Sequence, residues 1–291
     1  MKKRTAAISW VLAATLAASG SMVMAVPALA DSTTDASTIG ADAADDSNSN
    51  DSATDGSSAD SSSDSTADNA RQTKTTKLTA YVNQIRQTTF GYKVAKKSYD
   101  KSRVKLKLKG GVLTLTMLKA GKTTVTLTCK DNVDRVFNIT IKKSRFKPVK
   151  MTKLKCYNNY RKYMTKAQFK KAYAKALKIV TPAGDLSKKQ KLQYVTSALR
   201  EFFDKNMSYT SNKPHYNDPY GYLCLKRASC AGCARTTGLC LNILGIKFEH
   251  VNENQWSHQW CRVKVGKSYW IADPYGLYCG KEPGKRKHPY L

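Results

Sequence analysis

The sequence predicts an α+β protein with a small all-β module in front of it, and three features of the chain carry that expectation. Side chains alternate between polar and apolar over much of the stretch from about 77 to 145, as half-buried strands require. From about residue 150 the period becomes helical, and two stretches open with capping-box patterns. Near the C-terminal end a glycine separates two strand-like runs, the pattern of an antiparallel hairpin.

Taken in chain order, residues 1–30 read as an export signal. Lys2, Lys3 and Arg4 make a positive start, a mostly apolar run follows, and Val26-Pro27-Ala28-Leu29-Ala30 supplies the small residues of a cleavage site. An uncleaved membrane anchor is the competing use of this run, since about 20 apolar residues span a bilayer. Gly20 and Ser21 interrupt it, and the cleavage pattern is good. No second apolar stretch is long enough to cross a membrane, so no membrane association is expected after cleavage.

Residues 31–76 are expected to form an acidic spacer rich in Ser and Asp, without enough apolar surface to offset the entropy of ordering. The first seventy residues hold three of the 50 basic and ten of the 21 acidic residues. The remainder therefore has 47 basic against 11 acidic side chains, a net charge of about +36. An exported chain this basic is expected to be held near polyanions, and outside a Gram-positive cell those are anionic wall polymers. No nucleic-acid motif is present and export argues against that partner, so no specific nucleic-acid binding is expected.

Residues 77–146 are expected to form the β module. Arg103–Leu108 alternates basic and apolar residues, Gly110-Gly111 marks a turn, and Val112–Met117 follows. Thr123–Thr128 and Arg135–Ile141 supply two further strands. In residues 150–291, Thr165-Lys166-Ala167-Gln168 opens a helix that places Phe169, Ala172, Tyr173, Ala176, Leu177 and Val180 on one face. Ser187-Lys188-Lys189-Gln190 opens a second, with Leu192, Val195, Leu199 and Phe202 behind it. Both helices are expected to pack and to carry no chemistry.

The chemistry is expected from three short stretches. Ser229-Cys230-Ala231-Gly232-Cys233 leads into an apolar run ending at Gly245, a suitable C-cap. Cys230 would then stand at a helix start with Ser229 as N-cap, where backbone N–H groups favour the thiolate. Ser257-His258-Gln259-Trp260 and Trp270-Ile271-Ala272-Asp273-Pro274 flank a hairpin with Gly266 at its turn. The register that pairs Val265 with Ser268 puts Trp260 opposite Asp273 and His258 opposite Tyr275, so His258 and Asp273 share a face. A slip of one residue would separate them.

Cys-x-Gly opening a helix, then His-x-Trp, then Trp-x-x-Asp-Pro, resembles the transglutaminase-like superfamily over roughly residues 150–280. The resemblance implies a papain-related α+β fold, with helices preceding an antiparallel sheet. It implies Cys230 as nucleophile, His258 as general base and acid, Asp273 as the carboxylate that orients it, and Gly232 and Trp260 as neighbours of the site. Cys233 and Gln259 depart from the family pattern, which usually has an aromatic and a small residue there. The run Ala120–Thr128 resembles the late strand of bacterial Ig-like domains.

What the resemblance implies is secreted thiol-dependent acyl transfer on protein or peptide amides, ending in hydrolysis or amine cross-linking, with no cofactor and no metal. The backbone N–H of Cys230 is a natural oxyanion donor, and Tyr209, Tyr216, Tyr220 and Tyr222 are candidates for further roles. Two other readings stand beside it. One is a surface adhesion or scaffold protein whose triad is silent. The other is a C-x-x-C redox or zinc protein, with Cys224 and Cys240 completing a site around Cys230 and Cys233. Export makes at least one disulfide an expectation among Cys129, Cys156, Cys224, Cys233, Cys240, Cys261 and Cys279. His215, His250 and His288 have no motif and are expected at the surface or in loops, and Asp218 and Glu249 have no assigned partner.

Overall fold

The computed structural model describes residues 71–290. The expected export signal and the spacer as far as residue 70 lie outside the described residues. What is described is mixed α and β, with antiparallel sheets and helices.

The β module holds seven strands: β1 (Gln72–Tyr81), β2 (Ile85–Thr89), β3 (Val94–Tyr99), β4 (Val104–Lys109), β5 (Val112–Met117), β6 (Gly121–Cys129) and β7 (Val133–Lys142). They form two sheets, in the orders β1-β7-β6-β3 and β2-β5-β4, antiparallel throughout except for the parallel pair β1 and β7. Alternation decides what lies between the sheets. Leu113, Leu115 and Met117 of β5 share one buried cluster with Val125 and Leu127 of β6 and Ile139 and Ile141 of β7. On β4 the intervening Lys105, Lys107 and Lys109 are exposed.

The expected end of the spacer at residue 76 is corrected by the first strand. The chain enters the sheet at Gln72, so residues 72–76 are strand rather than spacer. Their side chains are mostly exposed, which is why they read as polar linker, but the ladder to Val133–Phe137 holds their backbone. Strands β2 and β3 escaped the sequence reading because neither has a fully buried position to reveal an alternating face.

The second part begins with a one-turn helix α1 (Tyr157–Tyr160), then α2 (Lys166–Val180) and α3 (Lys188–Asn206). Both expected capping boxes are present, Thr165 with Gln168 and Ser187 with Gln190. Each contributes about 1 kcal/mol by satisfying orphan donors of a first turn. Phe169, Ala172, Ala176 and Val180 of α2 and Leu192, Val195 and Leu199 of α3 are buried as expected, each large aliphatic side chain contributing roughly 1.5–3 kcal/mol.

A short parallel pair, β8 (Ser208–Tyr209) and β9 (Arg227–Ala228), leads into α4 (Cys230–Ile243). Every residue of α4 from Ala231 to Ile243 is buried. The helix lies in contact with α2 and α3 and with the last sheet, which has the order β10 (Glu249–Val251), β11 (Trp260–Val265), β12 (Ser268–Asp273), β13 (Tyr278–Lys281). A helix enclosed all round has no solvent face, so α4 shows little amphipathic pattern, and the polar side chains it buries, Arg235, Thr236, Thr237 and Asn242, are each hydrogen-bonded. It closes with a Schellman motif, in which Ile246 N–H bonds Leu241 O, Gly245 N–H bonds Asn242 O, and Gly245 takes φ 74°.

Candidate active site

Three elements deliver the expected triad to one place. Cys230 is the first residue of α4, and Ser229 holds the N-cap position. Ser229 does not cap with its side chain, however. Its N–H and Oγ–H both donate to Tyr216 O, at 2.7 and 3.2 Å, which fastens the preceding loop to the helix start. The N–H groups of the first turn are thereby left for whatever stands beside Cys230.

Gly232 serves this fastening rather than lining the cavity. A Cβ on it would stand 2.7 Å from Tyr216 O and 2.8 Å from the Ala228 side chain, so only glycine lets the loop pass so close. Asp218, in that loop, accepts from the N–H groups of Tyr220 and Gly221 and pairs with His215 Nδ1 at 2.8 Å. Asp218 therefore has a partner, as does Glu249, which pairs with Arg262 and Arg286.

The hairpin of β11 and β12 has the expected register, Val265 with Ser268 through Cys261 with Ala272, and Gly266 takes φ 60° at the turn. His258 lies just before β11 and Asp273 ends β12. His258 Nε2 meets Asp273 Oδ2 at 2.5 Å, which leaves Nδ1 as the ring nitrogen able to face a sulfur. The imidazole stacks on Trp260, with ring centroids 6.0 Å apart, and stands 5.8 Å from the ring of Tyr275.

Charge is arranged to match. Burial opposes ionisation of Cys230, but its hydrogen bond with His258, the imidazolium charge and the N–H groups of Gln259 and Ala231 outweigh it and hold the thiol below its usual value. Burial likewise works against protonated His258, yet bonds to Asp273 and Cys230 raise it to about 9. Asp273 is buried, which opposes its ionisation, but its bond with His258, the nearby His288 ring and the Gly276 N–H still keep it below the usual carboxylate range. A thiolate beside an imidazolium is the resting state these shifts favour.

Cys230 and His258 open on a cavity of about 440 Å³. Two stretches of chain line it, one with Tyr209, Tyr216 and Asn217 ahead of α4 and one from Asn254 to Gln259 ahead of β11, together with Tyr275. Arg235, buried within α4, braces both walls: one guanidinium nitrogen donates to Asn217 O at 2.9 Å and another to Asn254 Oδ1 at 2.9 Å. Of the four candidate tyrosines, Tyr209 and Tyr216 line this cavity. Tyr220 packs on His215, and Tyr222 is buried with its hydroxyl donating to Leu199 O.

Three participants were missed in the sequence. Nothing in its local sequence singles out Arg235. Gly276 is demanded by the dyad, since a Cβ there would fall 2.2 Å from Asp273 Oδ2 and 3.2 Å from His258 Nε2. The turn sequence Asp-Pro-Tyr-Gly was its available signal. His288, expected at the surface or in a loop, is 4% exposed and lies behind Asp273. No local pattern announces it.

The cysteines do not bear out the expected disulfide, for all eight are free thiols. Cys233 and Cys240 are buried within α4, and burial pushes both thiols up, away from the metal-binding and redox-active form. The only group of potential metal ligands among the described residues is His258, Asp273 and His288, with ligand atoms within 4.8 Å of one another. The 2.5 Å bond joining the first two leaves no space between them for an ion that keeps its ligands at about 2.0–2.2 Å. Compared with protein-family models and with curated proteins, the chain matches none.

Proposed function

We propose that the protein is a secreted, transglutaminase-like cysteine enzyme that attacks amide bonds of proteins or wall peptides, with Cys230, His258 and Asp273 as its catalytic triad. The observation that carries this reading is a half-buried sulfur at a helix start beside an imidazole already locked to a buried carboxylate at 2.5 Å, with the sulfur and the imidazole both lining one cavity.

The steps follow from the geometry. The Cys230 thiolate adds to the amide carbonyl, and the oxyanion forms beside the N–H groups of the first turn of α4, with that of Cys230 nearest. Imidazolium His258 passes its proton to the departing amine, leaving a thioester on Cys230. Neutral His258 then takes a proton from water, which adds to the thioester and releases the acid. An amine in place of water would give cross-linking by the same steps, and the cavity offers polar side chains to either, among them Ser211, Asn217, Asn254, Gln255 and Gln259.

The papain-related fold and the Ig-like character of residues 77–146 belong to the same proposal, as does a place at the cell wall. A spacer and a β module ahead of an enzyme, with about 36 net positive charges beyond residue 70, suit a protein held by anionic wall polymers. The test is thiol alkylation of the full chain. Cys230 should react fastest of the eight cysteines, and His258→Ala should slow it by roughly tenfold or more as the thiol reverts to its protonated form. Alkylation indifferent to His258 would sink the reading.

A further inference from the structure

The tail that follows β13 returns to the triad from behind. It is pinned to the sheet by charge: Glu282 bonds the buried Arg262 at 2.7 Å and accepts the Arg286 N–H, while the Arg286 guanidinium pairs with Glu249. Two residues further on, the side chain of His288 is 1% exposed. Its ring is enclosed by Trp260, Tyr278 and Tyr290, with centroids 5.3, 5.4 and 5.6 Å away, and stands edge-on to His258 at 5.8 Å.

The hydrogen-bonding state of this ring can be read from its neighbours. The Tyr290 N–H donates to Nδ1 at 3.3 Å, so in the neutral ring the proton sits on Nε2. Nε2 stands 3.3 Å from Asp273 Oδ2, the same oxygen that receives His258, within ion-pair reach but short of a formed hydrogen bond, and has no hydrogen-bond partner elsewhere among the described residues. A buried N–H left without a partner costs about 1–3 kcal/mol. Packing alone does not account for a histidine here, because a purely apolar side chain would fill this aromatic enclosure without that cost.

We propose that His288 is a positioning residue of the triad, its Nε2–H directed at Asp273 Oδ2 so that the carboxylate keeps His258 turned with Nδ1 toward Cys230. Asp273 then has three donors. Gly276 N–H takes Oδ1 at 3.0 Å, while His258 and His288 share Oδ2, which leaves the carboxylate little freedom to rotate. The inference rests on the triad being catalytic, and the variants below separate failure of the one from failure of the other.

The decisive comparison is between His288→Gln, which keeps a donor of similar reach, and His288→Met, which is similar in length but has none. His288→Phe adds an aromatic filler, and His258→Ala reports on the triad itself. Each full-length variant is scored for the alkylation rate of Cys230 and for its thermal midpoint. We expect Met and Phe to slow alkylation roughly tenfold with midpoints close to the parent, and Gln to recover most of the rate. Should Phe fail to fold, Gln against Met still decides. Equal rates for Gln and Met, whether fast or slow, overturn the role of His288. A rate unchanged in His258→Ala overturns the triad instead.

Discussion

Two cysteines one helical turn apart show how the second part of this protein differs from the first. Cys230 and Cys233 both belong to α4 and differ by three positions, yet one is half-buried with its thiol pulled down and the other is buried with its thiol pushed up. The difference comes from what each thiol meets. Cys230 meets an imidazole and two N–H groups, while Cys233 is enclosed by the core around Tyr222, with the Asp273 charge adding to the rise. The same contrast separates the two modules. All four histidines and seven of the eight cysteines lie beyond residue 150, and the β module keeps only Cys129, buried between its sheets. The core strands of one module are built from alternation, and the other gathers its titratable side chains where the helix start meets the last sheet.

The comparison can be broken most severely at Gly276. Gly276→Ala drives a methyl group into the His258–Asp273 bond, and Cys230 alkylation should fall by on the order of a hundredfold while the cavity stays open. A folded variant with an undiminished rate would show that the dyad does not control the thiol. Leu127→Ala makes the opposite cut. Emptying a fully buried position of the β module should cost about 2–5 kcal/mol in denaturant unfolding, with the alkylation rate of the folded protein unchanged.

The pH dependence sharpens the contrast between the two thiols. Alkylation of Cys230 should rise through a midpoint below that of an ordinary thiol, because His258 stabilises the charged form. Amide cleavage needs the imidazolium as well as the thiolate, so its rate should fall again as His258 loses its proton through about 9. An activity that kept rising past this point would remove His258 as the acid. The raised imidazolium also links to stability. Its contribution is present in full below about 6.5, the ordinary histidine value, and is lost as pH climbs through about 9.

The smallest effect is expected at Cys224, the other partly exposed thiol, which burial keeps protonated. Under native conditions it should label after Cys230, and Cys224→Ser should leave the fast labelling phase intact. Loss of that phase would reassign the reactive sulfur.

The physics of neighbouring residues made much of this molecule legible before its coordinates. Capping boxes at Thr165 and Ser187, the strand Val112–Met117, the hairpin register and the helix starting at Cys230 all follow from contacts within a few residues, which sequence records directly. Strands β2 and β3 and the first half of β1 did not show themselves, because their place depends on ladders with β5, β6 and β7 rather than on their own pattern. The parts of the site that went unseen share one property. Arg235, Gly276 and His288 act across loops and a returning tail, and their roles arise from distances of closest approach that no local periodicity encodes. Residue type and spacing singled out Cys230, His258 and Asp273, and the family they resemble supplied the roles proposed for them; how tightly the chain folds around that carboxylate was settled by packing in three dimensions.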